Sequence, residues 1–340
     1  MNSPRKLLSS LVAAGALLAL AAPMAGAAVT LKVGTAAAPD SAWGRVFKDW
    51  KSRVETATSK NVSIDFFYNS TQGSETTMVD KMKAGQLDGA AVTSTGLGKI
   101  DKRMLMLQLP GVIRSWKAVD AVRAQMGSEF ERFLGEKKIV MVQAGDVGLA
   151  HFLSKGFEVH SPDDLKGKSP WVYADEPVLK AVYSKIGGVN PFSAELMSVL
   201  PNIDNGKINC LSVSALAAEM LQWNSKFDNA VDSVNGIVVG AVVMSSDALD
   251  KLPGDQKKAV LDAGHDMGKD KGGLKALIRN EDAAAWARFK SRSGVKIYTP
   301  NADDTNKWAA VFKGARDALK AGTFDAGLVT KIESIGASNN

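Results

Sequence analysis

Apolar residues recur along this chain at two spacings, and the alternation between them predicts its architecture. Segments 31–34 and 62–68 read as strands, while between them Trp43, Val46, Phe47, Trp50 and Val54 fall on one helical face. Asp40 or Ser41 is placed to cap that helix, whose N-terminus then faces the space beyond the first strand. A second helix, 75–84, buries Met78, Val79 and Met82 and stops at Gly85; the strand 87–93 follows and ends in Ser94-Thr95-Gly96. After the Pro110-Gly111 break comes a helix over 116–134, with Val119, Val122, Met126, Phe130 and Phe133 inward, and then a strand at 139–143. Repeated β-α-β order predicts a mostly parallel sheet with helices on both faces, its ligands bound beyond the carboxyl ends of the strands.

The stretch 143–175 reads as a hinge crossing between two α/β lobes. A strand ends near Ala144, a polar turn follows, and a second strand crosses near 151–153. Ser161-Pro162-Asp163-Asp164 opens a helix whose first-turn carboxylates complement its dipole, and a further strand runs through Trp171 and Tyr173. Helix 176–186 closes at Gly187-Gly188, and helix 195–200 is ended or kinked by Pro201. Strand 208–213 and helix 215–223 follow. The nearly continuous apolar run 236–245 is a buried strand that returns to the first lobe. Helices dominate 247–289, and a strand at 295–298 and a helix from 303 to about 319 finish the chain. The expected fold class is therefore α/β, a two-lobe binding-protein fold with a ligand cleft between the lobes. Its first lobe is 28–145 with 236–270 and its second is 146–235 with 290–340, with 271–289 helical between them.

The first 27 residues change the picture of where the protein works. Arg5 and Lys6 precede an apolar run from 7 to 22 and the small residues Ala25-Gly26-Ala27, the pattern of a cleavable secretory signal. The run is shorter than the roughly 20 residues of a spanning helix. An exported, periplasmic chain starting at Ala28 is expected. Without Arg5 and Lys6, 40 basic residues face 36 acidic ones. The basic residues are interleaved with acids, which excludes a nucleic-acid footprint. Cys210 is the single cysteine, so no internal disulfide forms and stability rests on the cores.

No Gly-x-Ser-x-Gly elbow, Walker loop, His-Glu-x-x-His or paired-cysteine site is present, and His151, His160 and His265 are far apart. Neither catalysis nor a metal or other cofactor is expected. His151 is read as a core or hinge histidine satisfied by backbone. Trp171 and Tyr173, two apart on one strand, point to one face and line the cleft. Trp43 at the first helix, and Thr93, Ser94 and Thr95 at a strand end, are the other candidates read directly from the pattern, whereas Trp223 reads as core.

Several segments, in order, resemble the DctP-type substrate-binding proteins of TRAP transporters. They include Asp40-Ser41-Ala42-Trp43-Gly44, 84–89 (AGQLDG), Thr93-Ser94-Thr95-Gly96, Leu109-Pro110-Gly111, 161–167 (SPDDLKG), Val199-Leu200-Pro201, Leu221-Gln222-Trp223 and 252–256 (LPGDQ). The resemblance implies two lobes, a long helix spanning both, and closure on a small organic ligand. It also implies delivery to a membrane permease of a small and a large subunit, driven by an ion gradient. Most characterised ligands of that family are organic acids gripped by arginine. Here the main arginine's place falls at Trp171 and a second at Ala150. A charge-assisted bidentate pair contributes about 1.5–3 kcal/mol that neither residue can replace. A neutral or largely apolar ligand stacked on Trp171 and Tyr173 is expected, with polar contacts from Thr93, Ser94, Asp146 and Ser214. The alternatives are an anionic ligand held by Lys168, Arg114 or Lys155, and a protein that presents its ligand to a sensor.

Overall fold

A computed structural model describes residues 28–340, and the predicted signal segment lies outside them. The chain opens with β1 (Val29–Thr35), α1 (Ala42–Ala57), β2 (Val62–Phe67), α2 (Glu75–Lys83), β3 (Gly89–Thr93) and α3 (Ser94–Ile100). Helix α4 (Trp116–Gly135) leads into β4 (Ile139–Ser154). Then come β5 (Trp171–Val172), α5 (Pro177–Ile186), β6 (Phe192–Ser193), α6 (Val199–Asp204), β7 (Cys210–Ser214), α7 (Ala215–Met220) and β8 (Asn229–Val231). Strand β9 (Gly236–Ser245) returns, followed by α8 (Ser246–Leu249), α9 (Gly254–His265), α10 (Gly273–Ser291), β10 (Lys296–Tyr298), α11 (Ala302–Gly322) and α12 (Ala326–Asn339).

The main sheet has the order β10-β8-β4-β9-β3-β1-β2, with β7 also on β4. Only part of it is parallel: β1 pairs in parallel with β2 and β3, whereas β9 runs antiparallel to β3 and β4. The predicted polar turn after Ala144 does not form. Strand β4 instead runs unbroken for 16 residues, paired with β9 from Ile139 to Ala150 and with β7 from Ala150 to Ser154. Register shifts at Met141/Gln143 and Asp146/Gly148 absorb the polar stretch as bulges, which bend a strand and raise its twist. One strand thus belongs to both lobes.

Side-chain pattern fixes the layers. Val46, Phe47, Trp50 and Val54 of α1 pack with Val260 and Ala263 of α9 on one face of the first-lobe sheet. Met78 and Val79 of α2 pack with Val119, Val122 and Phe130 of α4 on the other. Val329, Ile332 and Ile335 of α12, a helix absent from the sequence expectation, join this second cluster. In the second lobe, Leu211 and Val213 pack with Trp171, Trp223 and Phe289, and Phe152, Val182, Trp308 and Phe312 form a separate cluster. Helix α10 touches both lobes, with Leu274 and Ile278 in a first-lobe cluster and Phe289 in the second.

Local rules explain the ends. Ser41 caps α1 by accepting from Gly44 N at 3.0 Å. Ser161 and Asp164 make the reciprocal capping box of a short 3-10 turn over Pro162–Leu165. Pro201 does not end a helix: it sits in the first turn of α6, where its missing N–H has no partner to lose.

Candidate functional site: the interlobe cavity

A cavity of about 490 Å³ lies where β1, β3, β4 and β9 meet the second lobe. Its first-lobe wall holds Thr35, Trp43, Phe47, Thr93 and Thr95, and its second-lobe wall Trp171, Tyr173, Leu200, Met220 and Trp223. Trp171 is placed by β5 and locked by its indole N–H donating to Ala194 O at 2.9 Å. Its ring centroid lies 4.6 Å from Tyr173 and 5.4 Å from Trp223, so three aromatic rings form one wall. Across the cleft, Trp43 donates to the backbone carbonyl of Asp146 at 3.2 Å. Among the described residues lining the cavity, none is Lys, Arg or His.

Of the residues singled out from sequence, Trp43, Thr93, Thr95, Asp146, Trp171 and Tyr173 line the cavity; Ser94 and Ser214 do not. Both serines begin helices at strand ends and are buried. Ser94 donates to Val239 O at 3.0 Å, while Ser214 donates to Val147 O and accepts from Ala217 N as the cap of α7. The Ser94 hydroxyl thus ties its strand end to β9, and the Ser214 hydroxyl ties its own to β4 while capping α7. Asp146 borders the space, yet its carboxylate is committed to two cations: Arg123 of α4 at 2.5 Å and Arg279 of α10 at 2.7 Å. Arg279 is shared with Asp120 at 2.6 Å. The aspartate therefore ties β4, α4 and α10 together at the crossing.

The cations considered as substitutes lie elsewhere. Lys168 sits 4.4 Å from the Phe157 ring centroid, Lys155 donates to Ile203 O, and the backbone N–H of the exposed Arg114 donates to Asn340 Oδ1. None of the three lines the cavity. His151 is buried, with Nδ1 on Val231 O and its ring stacked 4.0 Å from Trp286, and burial pushes its pKa down.

Glu75, Glu176 and Asn235 are among the lining residues that the sequence analysis did not single out. Glu75 Oε2 accepts from Thr93 N, Thr93 Oγ1 and Gly96 N at 2.9, 2.8 and 3.0 Å. Burial nonetheless pushes its pKa up. Glu176 caps α5 through Val178 N and Leu179 N, and burial raises its pKa to about 7. Asn235 accepts from Ser212 at 3.0 Å, and its amide nitrogen is buried without a partner. The acids precede helices, where a cap is the ordinary reading of the sequence. Tyr173 stays a neutral phenol: burial, and then the charges of Glu75 and Glu195, hold its pKa well above the usual value. The surface offered to a ligand is thus aromatic and weakly polar, with acidic groups that burial drives toward neutrality.

Two α/β lobes sharing a long strand, with a cavity between them, have the architecture of a two-lobe solute-binding protein. Residues 33–321 match the family DctP, bacterial extracellular solute-binding protein family 7, and the chain belongs to that family. A solute-binding protein of Roseobacter denitrificans is 24% identical over 238 residues, 69% of this chain and 72% of that one. An uncharacterized protein, y4mM, of Sinorhizobium fredii is 23% identical over 85% of this chain, which spans 52% of its length. Among solved structures, the sugar acid binding protein of Advenella mimigardefordensis in complex with galactonate superposes with a TM-score of 0.83 at 15% identity, covering 91% of this chain and 98% of that one. A TRAP periplasmic solute-binding protein of Sulfurospirillum deleyianum with bound succinate gives 0.80 at 20% identity, covering 91% and 99%. One from Chromohalobacter salexigens with bound D-glucuronate gives 0.81 at 18%, covering 90% and 99%.

Proposed function

We propose that this protein captures a small, neutral and largely apolar solute in the periplasm and delivers it to a TRAP-type permease of a small and a large membrane subunit. The observation that carries the neutral character is the lining itself: Trp171 and Tyr173 stand on the cavity wall, and no described lining residue is cationic. A carboxylate leaving water for such a site would lose its hydration without gaining a charge-assisted partner. An apolar ring loses nothing comparable and gains about 25 cal/mol per Å² of buried surface.

In this reading Trp171, Tyr173 and Trp43 supply ring contacts, and Thr93 and Thr95 supply polar ones. Asn235 offers its unpartnered amide nitrogen to a neutral oxygen. Asp146 positions the wall, and Ser94 and Ser214 hold the strand ends. In this reading the lobes part near 145 and 236, and the joint between them moves at β4 and β9. The acids bound by the structural neighbours support the competing reading of a carboxylate ligand, which here would need a cation brought in by rearrangement.

A thermal-shift panel of neutral cyclic and aromatic solutes beside their matched carboxylates tests the proposal, read on wild type and Trp171→Ala. Stabilisation by neutral members that Trp171→Ala abolishes is expected. Stabilisation confined to carboxylates would overturn it.

A further inference from the structure

The cavity does not end at the cleft between the lobes. Along β4 it is lined by Gly145, Asp146 and Val147 and again by Ala150 and Phe152. At about 3.3 Å per residue it follows that strand for roughly 20 Å. Its far wall is Leu179 and Val182 of α5 with Phe312 of α11. Phe152, Val182 and Phe312 belong to the second lobe's own core cluster, beside Cys210 and Trp308. Met197, which also lines the cavity, is 61% exposed, so the cavity reaches solvent there.

Position 150 decides whether the inner part is open. Ala150 and Phe152 are two apart on one strand and so share a face. Ala150 is pinned by pairing with Ser214 on one side and Gly236 on the other. A longer side chain there would project into the passage between the cleft and Phe152. A slot of this length suits an elongated molecule better than a compact one of equal volume.

We propose that the cavity is bipartite and its ligand elongated, with one part held between the lobes at Trp171 and Tyr173. An apolar tail runs past Ala150 to Phe152, Val182 and Phe312, inside the second lobe. This rests on the solute-binding reading given above and adds the ligand's shape and class to it.

The test uses the mature protein, with Ala150→Leu and Val182→Met as two independent ways of filling the inner slot, each checked for folding by far-UV circular dichroism. The probes are butanamide, hexanamide, octanamide and decanamide, with the matching alkanoates, titrated by calorimetry. In wild type the amide Kd falls about three- to fourfold per added methylene until the slot is full. In a folded filled variant that gain stops early: decanamide binds at least about tenfold more weakly than to wild type, while butanamide is unchanged. An equal chain-length gain in both filled variants, or no chain-length gain in wild type with either series, would overturn the slot. Alkanoates binding more tightly than amides at every length would overturn the neutral reading instead, and the length comparison would still decide the slot.

Discussion

Replacing Asp146 by asparagine tests what holds the crossing together. The carboxylate is fully buried, and it pairs with Arg123, itself 12% exposed, and with Arg279 at 19%. An amide of the same shape leaves two cations facing a neutral group. Arg279 keeps Asp120, with two contacts of 2.6 and 2.7 Å, so its charge stays paired. Arg123 keeps only the carbonyl of Gly145, at 2.7 Å. Removing one partner of a buried pair costs about 3–5 kcal/mol. With one of two cations still compensated, the lower end applies, about 3 kcal/mol. For a chain of this size that is a fall in Tm of roughly 5 °C. Urea denaturation of wild type, Asp146→Asn, Arg123→Met and the double variant supplies the cycle. Arg123→Met added to Asp146→Asn should recover part of the loss, because the unpaired charge is gone. A loss below about 1 kcal/mol for Asp146→Asn, accompanied by weakened ligand binding, would refute the structural role and return Asp146 to the ligand.

Three further outcomes are expected. Glu176 titrates near 7 in the folded protein against an ordinary 4.5. Between those values the native state holds a proton that the unfolded chain has released, so stability falls as pH rises through this window, by about 3 kcal/mol in all. Glu176→Gln should flatten the pH dependence of unfolding between about 5 and 7.5, and an unchanged slope would contradict the assignment. Cys210 is buried and burial pushes its thiol up to about 12, so a thiol reagent at pH 8 should label it only in denaturant. Gly148→Ala should destabilise by about 1–3 kcal/mol in thermal unfolding, because a Cβ there would collide with the Cβ of Ser214 and the carboxylate of Asp282.

Much of the fold was legible because its signals are local. The α1 stripe of Val46, Phe47, Trp50 and Val54 is buried as its spacing predicts, with Ser41 as cap. The crossing was legible but its continuity was not, because Gln143 to Gly148 looks like a turn until Asp146 is paired with arginines 23 residues before it and 133 after, inside one unbroken strand. Pro201 misled for a positional reason, since proline breaks a helix interior but not a first turn. At the site, hydroxyls after strands were read as facing the cleft, yet Ser94 is taken by the Val239 carbonyl of β9, and Ser214 by the Val147 carbonyl of β4 and the cap of α7. The aromatic pair was singled out by its two-residue spacing and both rings line the cavity, although the strand ends at Val172 and Tyr173 lies just beyond it. The acids Glu75 and Glu176 were not, since only the packing of the second lobe against the first brings them to the cavity wall.

The measurement that bears most directly on the ligand is native mass spectrometry of the mature protein purified without refolding, followed by denaturation and identification of any released molecule. A neutral, largely apolar species at one per chain is the predicted result, and a stoichiometric carboxylate would contradict it.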